Sequence, residues 1–299
     1  GAMSARDRLT GPANTGVWMF TEAMPAGAAA EFAGRVESLG YSTLWLPETL
    51  GRDPFPHVAW LASQTESLQF ATGIAGIFNR HPSSMVQSSL TVAEQSGGRF
   101  VLGLGVSHAP MVAGVRKLDY SKPYSQMREY LATMDRFRYT SIPPAEPPIR
   151  LLAALGPKML ELSATAADGA HPYFTTPEHT ATARGILGPD KLLCVEQKVI
   201  LSTDADAARA AAIRTSNIYA DLPNYRNNWK RLGFTEDEIE SRADRFIDAV
   251  VVWGDEDRLR AGVQAHYDAG ADHVCVQPID VSDPLAVDWN ALEVLAPTN

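Results

Sequence analysis

FATGIAGIFNRHPSSMVQSSLTVAEQSGGRFVLGLGVSH, residues 70–108, reads as strand, turn, helix, strand. Two apolar runs, 70–78 and 99–106, flank an amphipathic segment. That segment opens at Pro82, where a proline suits the first helical turn, and closes at Gly97 and Gly98. The stretch is therefore a βαβ unit. Both of its strands carry small residues where a packed strand would place bulk: Gly73, Ala75 and Gly76 in the first, Gly103 and Gly105 in the second. Glycine weakens a strand and marks places where something approaches the backbone. A flat cofactor lying against these two strand ends is the expectation.

Working outward, the same alternation continues. Residues 15–20 (TGVWMF) form a first strand, and 26–39 present Ala29, Phe32, Ala33, Val36 and Leu39 on one helical face before Gly40. TLWL at 43–46 is a second strand broken by Pro47, and a helix over 57–67 leads into the central unit. Beyond it come a helix at 124–137, a strand at 149–154, a helix at 157–167, a strand at 170–174 and a helix opened by Thr176 and Pro177. A strand at 192–201, an alanine-rich helix after Thr203 and a last strand at 273–277 complete the series. A helix ending on glycine just before an apolar strand recurs at LGYSTLWL, GGRFVLGL, DGAHPYF and AGADHVCVQP. Eight strand candidates alternating with helices over this length predict a closed (β/α)8 TIM barrel. An open dinucleotide-binding sheet would want G-x-G-x-x-G after the first strand, and none is there.

Composition agrees with this. The chain has 299 residues, 45% of them hydrophobic, enough for one large barrel core. The two cysteines, Cys194 and Cys275, sit in apolar runs and read as buried thiols. No run approaches membrane-spanning length and none reads as a secretory signal, so a soluble, cytoplasmic protein without membrane partners is expected. A net charge of −9 without a basic stripe speaks against nucleic acid. Residues 1–12 read as a tag remnant (Gly1, Ala2, Met3) and a flexible lead-in, and 13–299 as a single barrel domain with insertions at 109–148 and 215–250. The second insertion scatters Tyr219, Tyr225, Trp229 and Phe234 through polar sequence, and Thr235 with Glu238 makes a capping box. Both insertions are read equally well as walls or lids over the barrel mouth and as helical decoration or oligomer contacts.

Barrel enzymes keep their chemistry just beyond the C-terminal strand ends. Glu48 follows the second strand, with a surface salt bridge as its plainest role; His81 follows the third, placed to cap the helix at Pro82; His108 follows the fourth, where an imidazole titrates in the range useful for proton transfer. Gly156, Pro157 and Lys158 follow the fifth: a glycine turn into a helix N-terminus offers free N–H groups to an anion. Lys158 opposes the helix dipole there unless an anion is bound, although an ordinary loop with a surface lysine accounts for it equally well. No nucleophile elbow, phosphate-binding Walker loop or metal-ligand cluster appears.

The run TGIAGIFNRHPSSMVQSSLTVAEQSGGRFVLGLGVSH resembles the strand-helix-strand core of the luciferase-like monooxygenase superfamily. Its coenzyme F420-dependent members are also similar to this chain at LWLPE and AALGPKMLELSATAADGAHPYFTTPEH. The resemblance spans residues 16–277 and is weakest at 109–148 and 215–250. It implies a non-proline cis peptide at Gly73-Ile74 that bulges against the isoalloxazine ring, with Ala75, Gly105 and Ser107 beside it. It places Glu48 near the ring edge as a second catalytic group, puts Thr49 where many relatives have a histidine, and puts His108 where some have a catalytic glutamate. Gly156, Pro157 and Lys158 match the phosphate-binding turn.

The implied function is hydride transfer between coenzyme F420 and a small organic substrate, with His108 as proton donor or acceptor and no metal. An FMN-dependent monooxygenase and a non-catalytic flavin-binding or deazaflavin-binding barrel are the alternatives. A homodimer is the expected assembly. Trp18, Tyr173 and the aromatics after residue 217 suit an apolar pocket or the core equally, and Arg184, Arg226, Lys230 and Arg231 show no spacing that singles them out.

Overall fold

The strands of the computed structural model, which describes residues 3–297, are β1 Thr15–Trp18, β2 Thr43–Leu46, β3 Gln69–Thr72, β4 Ala75–Gly76, β5 Phe100–Gly105, β6 Ile149–Leu152, β7 Gly169–Ala170, β8 Leu192–Leu201, β9 Val251–Gly254 and β10 His273–Pro278. They pair in parallel in the order β10-β1-β2-β3-β5-β6-β7-β8, and β10 pairs back onto β8. β3 and β4 are two halves of one barrel strand along β5, separated by the Gly73-Ile74 peptide, which is cis. Eight strand positions thus close a (β/α)8 barrel, as the alternation predicts.

Alternate residues of a strand face opposite sides. On the outer face Val17, Leu44, Phe70, Leu102, Leu152, Val195 and Val274 pack with the surrounding helices. On the inner face Trp18, Trp45, Ala71, Val101, Leu151, Cys194 and Cys275 form a separate cluster that continues into the 215–250 insertion through Tyr219, Tyr225 and Trp229. Both cysteines are buried free thiols, as expected.

The glycines that end helices do so with left-handed backbone, φ 90° at Gly40 and 65° and 83° at Gly97 and Gly98, which favours glycine over other residues. His81 caps the helix Pro82–Gln95 by accepting the Ser83 N–H, its plainest role. The Thr235 and Glu238 capping box forms. The helix after β2 begins at Pro54, three residues before the predicted start, because Asp53 caps it by accepting from Phe55 N.

Two features depart from the sequence reading. Where a flexible lead-in is expected, Ala5–Thr10 is a helix with a Ser4–Asp7 capping box, and its Leu9 is buried in the inner cluster. Gly1 and Ala2 lie outside the described residues. β9 lies outside the predicted series of strands: it extends the sheet by pairing with the C-terminal half of β8. The helix expected at 124–137 forms as Pro123–Arg136 within the 109–148 insertion and packs against Pro82–Gln95 and Pro157–Ala166. No helix among the described residues is long and apolar enough to cross a membrane.

Candidate active site

A cavity of about 1180 Å3 opens at the C-terminal ends of the strands. It is larger than the roughly 300–1,000 Å3 that suits one drug-sized ligand, so it has room for a coenzyme head and a second molecule. Glu48, Gly73, Ile74, Ser107, His108, Gly156, Pro157 and Lys158 all line it, as does Thr49. These residues come from four separate strand ends and line one cavity.

Ala75 and Gly105 do not line it. Ala75 is fully buried and pairs with Leu104 of β5. At Gly105 a Cβ would stand 2.5 Å from Ile74 Cδ1, and at Gly103 it would overlap the Thr72 carbonyl oxygen. The small residues of β5 are therefore small because the third barrel strand bulges inward over them, and the surface offered to a ligand is that bulge, Gly73 and Ile74, rather than β5 itself. The expectation that both strands line the site is corrected: Gly73 and Ile74 of the third strand line the cavity, and Ala75 and Gly105 do not.

Glu48 departs further from its assigned role. Its Oε1 accepts from Gly76 N at 2.9 Å, Asn79 Nδ2 at 2.6 Å and an Arg80 guanidinium nitrogen at 2.9 Å, and its Oε2 meets the other guanidinium nitrogen at 2.5 Å. Burial alone would raise its pKa; the Arg80 and Gly76 bonds outweigh that and hold it below the usual carboxylate value. The carboxylate is committed to fixing the segment after the bulge. It is a positioning residue, and its bridge is buried rather than superficial, the two side chains being 11% and 6% exposed. Arg80→Met leaves that charge without its main partner and is expected to cost about 3 kcal/mol in urea unfolding. A loss below about 1 kcal/mol would show that the pair behaves as a solvated one.

His108 stands half-buried beside Tyr225, ring centroids 5.2 Å apart, with its Nδ1 unpartnered. Burial lowers its pKa to about 4, so at neutral pH it is an uncharged imidazole. Its neighbours form a polar wall. Gln277 Oε1 only accepts, so Tyr173 donates to it at 3.0 Å and Tyr219 in turn donates to Tyr173 at 2.7 Å. That order leaves the Tyr219 oxygen free to accept from a ligand. Beneath these tyrosines the fully buried Glu196–Lys198 pair, 2.8 Å apart, sets its ammonium 3.7 Å and 3.8 Å from the ring centroids of Tyr173 and Phe174. Tyr219, Tyr225 and Gln277 were legible only as aromatics or strand residues; their inward parity on known strands and helices is what gives them to the site.

At another part of the wall, the helix Pro157–Ala166 begins at Gly156 with no side-chain cap, leaving its first N–H groups to the cavity. Arg231, from the insertion helix Pro223–Arg231, brings a guanidinium nitrogen within 3.3 Å of where a Gly156 Cβ would be. Arg231 and Lys158 take no hydrogen-bond or salt-bridge partner among the described residues, and burial lowers the Arg231 pKa. Two unpaired cations and a free helix start fit an anionic group. No spacing in the sequence could have joined Arg231 to Gly156.

Comparison with known proteins follows the same lines. The chain is 26% identical to a putative coenzyme F420-dependent oxidoreductase of Mycobacterium tuberculosis, over 80% of this chain and 87% of the relative. Among solved structures, an F420-dependent secondary alcohol dehydrogenase in complex with an F420-acetone adduct superposes with a TM-score of 0.75 at 14% identity, covering 94% of this chain and 96% of that one. The oxygenating constituent of a diketocamphane monooxygenase from Pseudomonas putida, in complex with FMN, superposes with a TM-score of 0.67 at 16% identity, covering 94% and 96%. At such identities the superpositions establish a shared barrel. The family description "luciferase-like monooxygenase" matches residues 8–273, and a match over that much of the barrel, insertions included, means that the chain belongs to the luciferase-like monooxygenase family.

Proposed function

We propose that the chain is a coenzyme F420-dependent oxidoreductase acting on a small organic alcohol or carbonyl compound. The observation that carries this is the arrangement of one cavity: the Gly73-Ile74 bulge, bare of polar side chains, and the unpaired Arg231 and Lys158 at the Gly156 helix start. A flat tricyclic ring with a phosphate-bearing tail needs both. The identity to the Mycobacterium tuberculosis relative supports the deazaflavin over a flavin.

The bulge would support the ring, and Gly156, Lys158 and Arg231 would hold the phosphate. When bound, the deazaflavin supplies a two-electron hydride donor or acceptor. The protein's own part is orientation and one proton. A neutral His108 accepts the proton of a substrate hydroxyl as that carbon is oxidised, and returns it to the carbonyl oxygen in the reverse direction. Tyr219 and Gln277 offer further hydrogen bonds on the same wall. Glu48 takes no part in the proton path.

Separate titrations with F420 and FMN test the proposal. Saturable F420 binding with much weaker FMN binding is expected, and tight FMN binding without F420 binding would transfer the chain to the flavin monooxygenases. On the deazaflavin-loaded protein, His108→Gln is expected to lower kcat by about 10²–10⁴. Unchanged turnover would remove His108 from the proton path, and deazaflavin binding without any hydride exchange would make the chain a binding protein.

A further inference from the structure

Three large apolar side chains stand exposed where they line the cavity: Leu50 at 63%, Ile218 at 66% and Leu285 at 71%. They come from the turn after β2, the insertion and the loop after β10, segments far apart in sequence. Apolar surface converging from separate loops onto one cavity is the mark of a binding mouth; scattered surface leucines would not converge. The charged groups that line the same cavity are either paired or gathered at the Gly156 turn. Glu48 is bound by Arg80, Arg214 donates to the Asp280 carbonyl at 2.9 Å, and the exposed Glu22 accepts the Arg52 backbone N–H at 2.8 Å. Lys158 and Arg231 stand with Gly156.

We infer that the substrate is an uncharged, elongated, apolar molecule with a single hydroxyl or carbonyl oxygen. The oxygen lies toward His108 and the hydrocarbon body runs out between Leu50, Ile218 and Leu285. The position of the oxygen and the exclusion of a charged group rest on the deazaflavin reading above; the apolar mouth does not. A sugar phosphate or a carboxylate substrate would leave its charge opposite hydrocarbon, at a cost the free cations near Gly156 cannot offset once they hold a phosphate.

Calorimetric binding of a methyl ketone series, 2-butanone to 2-undecanone, tests this on protein loaded with oxidised F420, where no turnover occurs, and on protein without coenzyme. Affinity is expected to rise about two- to fourfold per added methylene before it levels off, with the carboxylate of matching length at least tenfold weaker. Leu285→Asp with Ile218→Asp is expected to flatten the gradient, and since both side chains are exposed the fold is not at risk. A flat gradient in the original protein overturns the proposal. So does a rim variant that keeps the gradient but dissociates a dimer, because the mouth would then be a subunit contact. Failure of F420 to bind while the ketone gradient persists would remove the proposed function and leave the apolar substrate standing.

Discussion

Acidification from pH 6.5 to pH 4 is expected to strip on the order of 6 kcal/mol from the folding stability through two histidines alone. His171 and His273 sit inside the barrel beside Trp45, with ring centroids 4.4 Å and 5.5 Å from it. His273 Nε2 accepts the Trp45 indole N–H at 2.9 Å, so a proton there would abolish the bond. His171 bonds the Cys194 carbonyl through Nδ1 at 2.8 Å, and its buried Nε2 has no partner that could receive a second N–H. Burial, helped by Lys198 near His171 and by His171 near His273, lowers His171 to about 4 and His273 to about 3.

Both folded values lie below the unfolded value of about 6.5. Between them the unfolded chain binds protons that the folded chain refuses, so stability is full above pH 6.5, falls as the pH drops, and stops falling below pH 3. Since whole domains hold only about 5–15 kcal/mol, the chain should unfold in mild acid. Urea midpoints at pH 7, 6, 5 and 4.5 measure this. His273→Gln, which can still accept from Trp45, should reduce the slope by about 1.4 kcal/mol per pH unit. Midpoints that stay level from pH 7 to 5 would show that the two rings protonate without resistance.

The barrel was legible because its signals are local and repeated: glycine stops such as Gly40 and Gly97 followed by strands whose apolar runs have fixed length. His108, Ser107 and the Gly156 turn were legible for the same reason, since each follows a readable strand and barrel topology sends every strand end to one face. What one chain segment cannot disclose is its partner. Glu48 shows in sequence as a free carboxylate, and only folding brings Arg80, Asn79 and the Gly76 N–H around it. Arg231 was one of several basic residues without distinguishing context until the insertion helix set it over Gly156. β9 escaped because VVWG is short and lies past an irregular insertion.

The opening stretch yields the second large effect, a contrast between two glycines two residues apart on β5. Both point into the barrel, and both are met by the third strand, but by different atoms. At Gly103 the obstacle is the Thr72 carbonyl, held in place because Thr72 Oγ1 donates to the Gly103 carbonyl at 2.7 Å and accepts the Gly103 N–H at 2.9 Å. Backbone so fixed cannot yield, and Gly103→Ala is expected to cost about 4 kcal/mol or more and leave little folded protein. At Gly105 the obstacle is the end of the Ile74 side chain, 2.5–2.6 Å from the added carbon. That chain can turn, so Gly105→Ala should fold at a cost of about 1–3 kcal/mol while driving Ile74 into the cavity it lines. If the bulge supports the proposed coenzyme, its affinity should therefore fall more than stability does. Ile74→Ala removes the displaced atoms, and in the double variant the two changes should couple favourably by about 1 kcal/mol or more, with coenzyme binding partly restored. Simple additivity in urea midpoints, or a Gly105→Ala protein that binds coenzyme as the original does, would mean that β5 is glycine-rich for some reason other than the bulge lying over it.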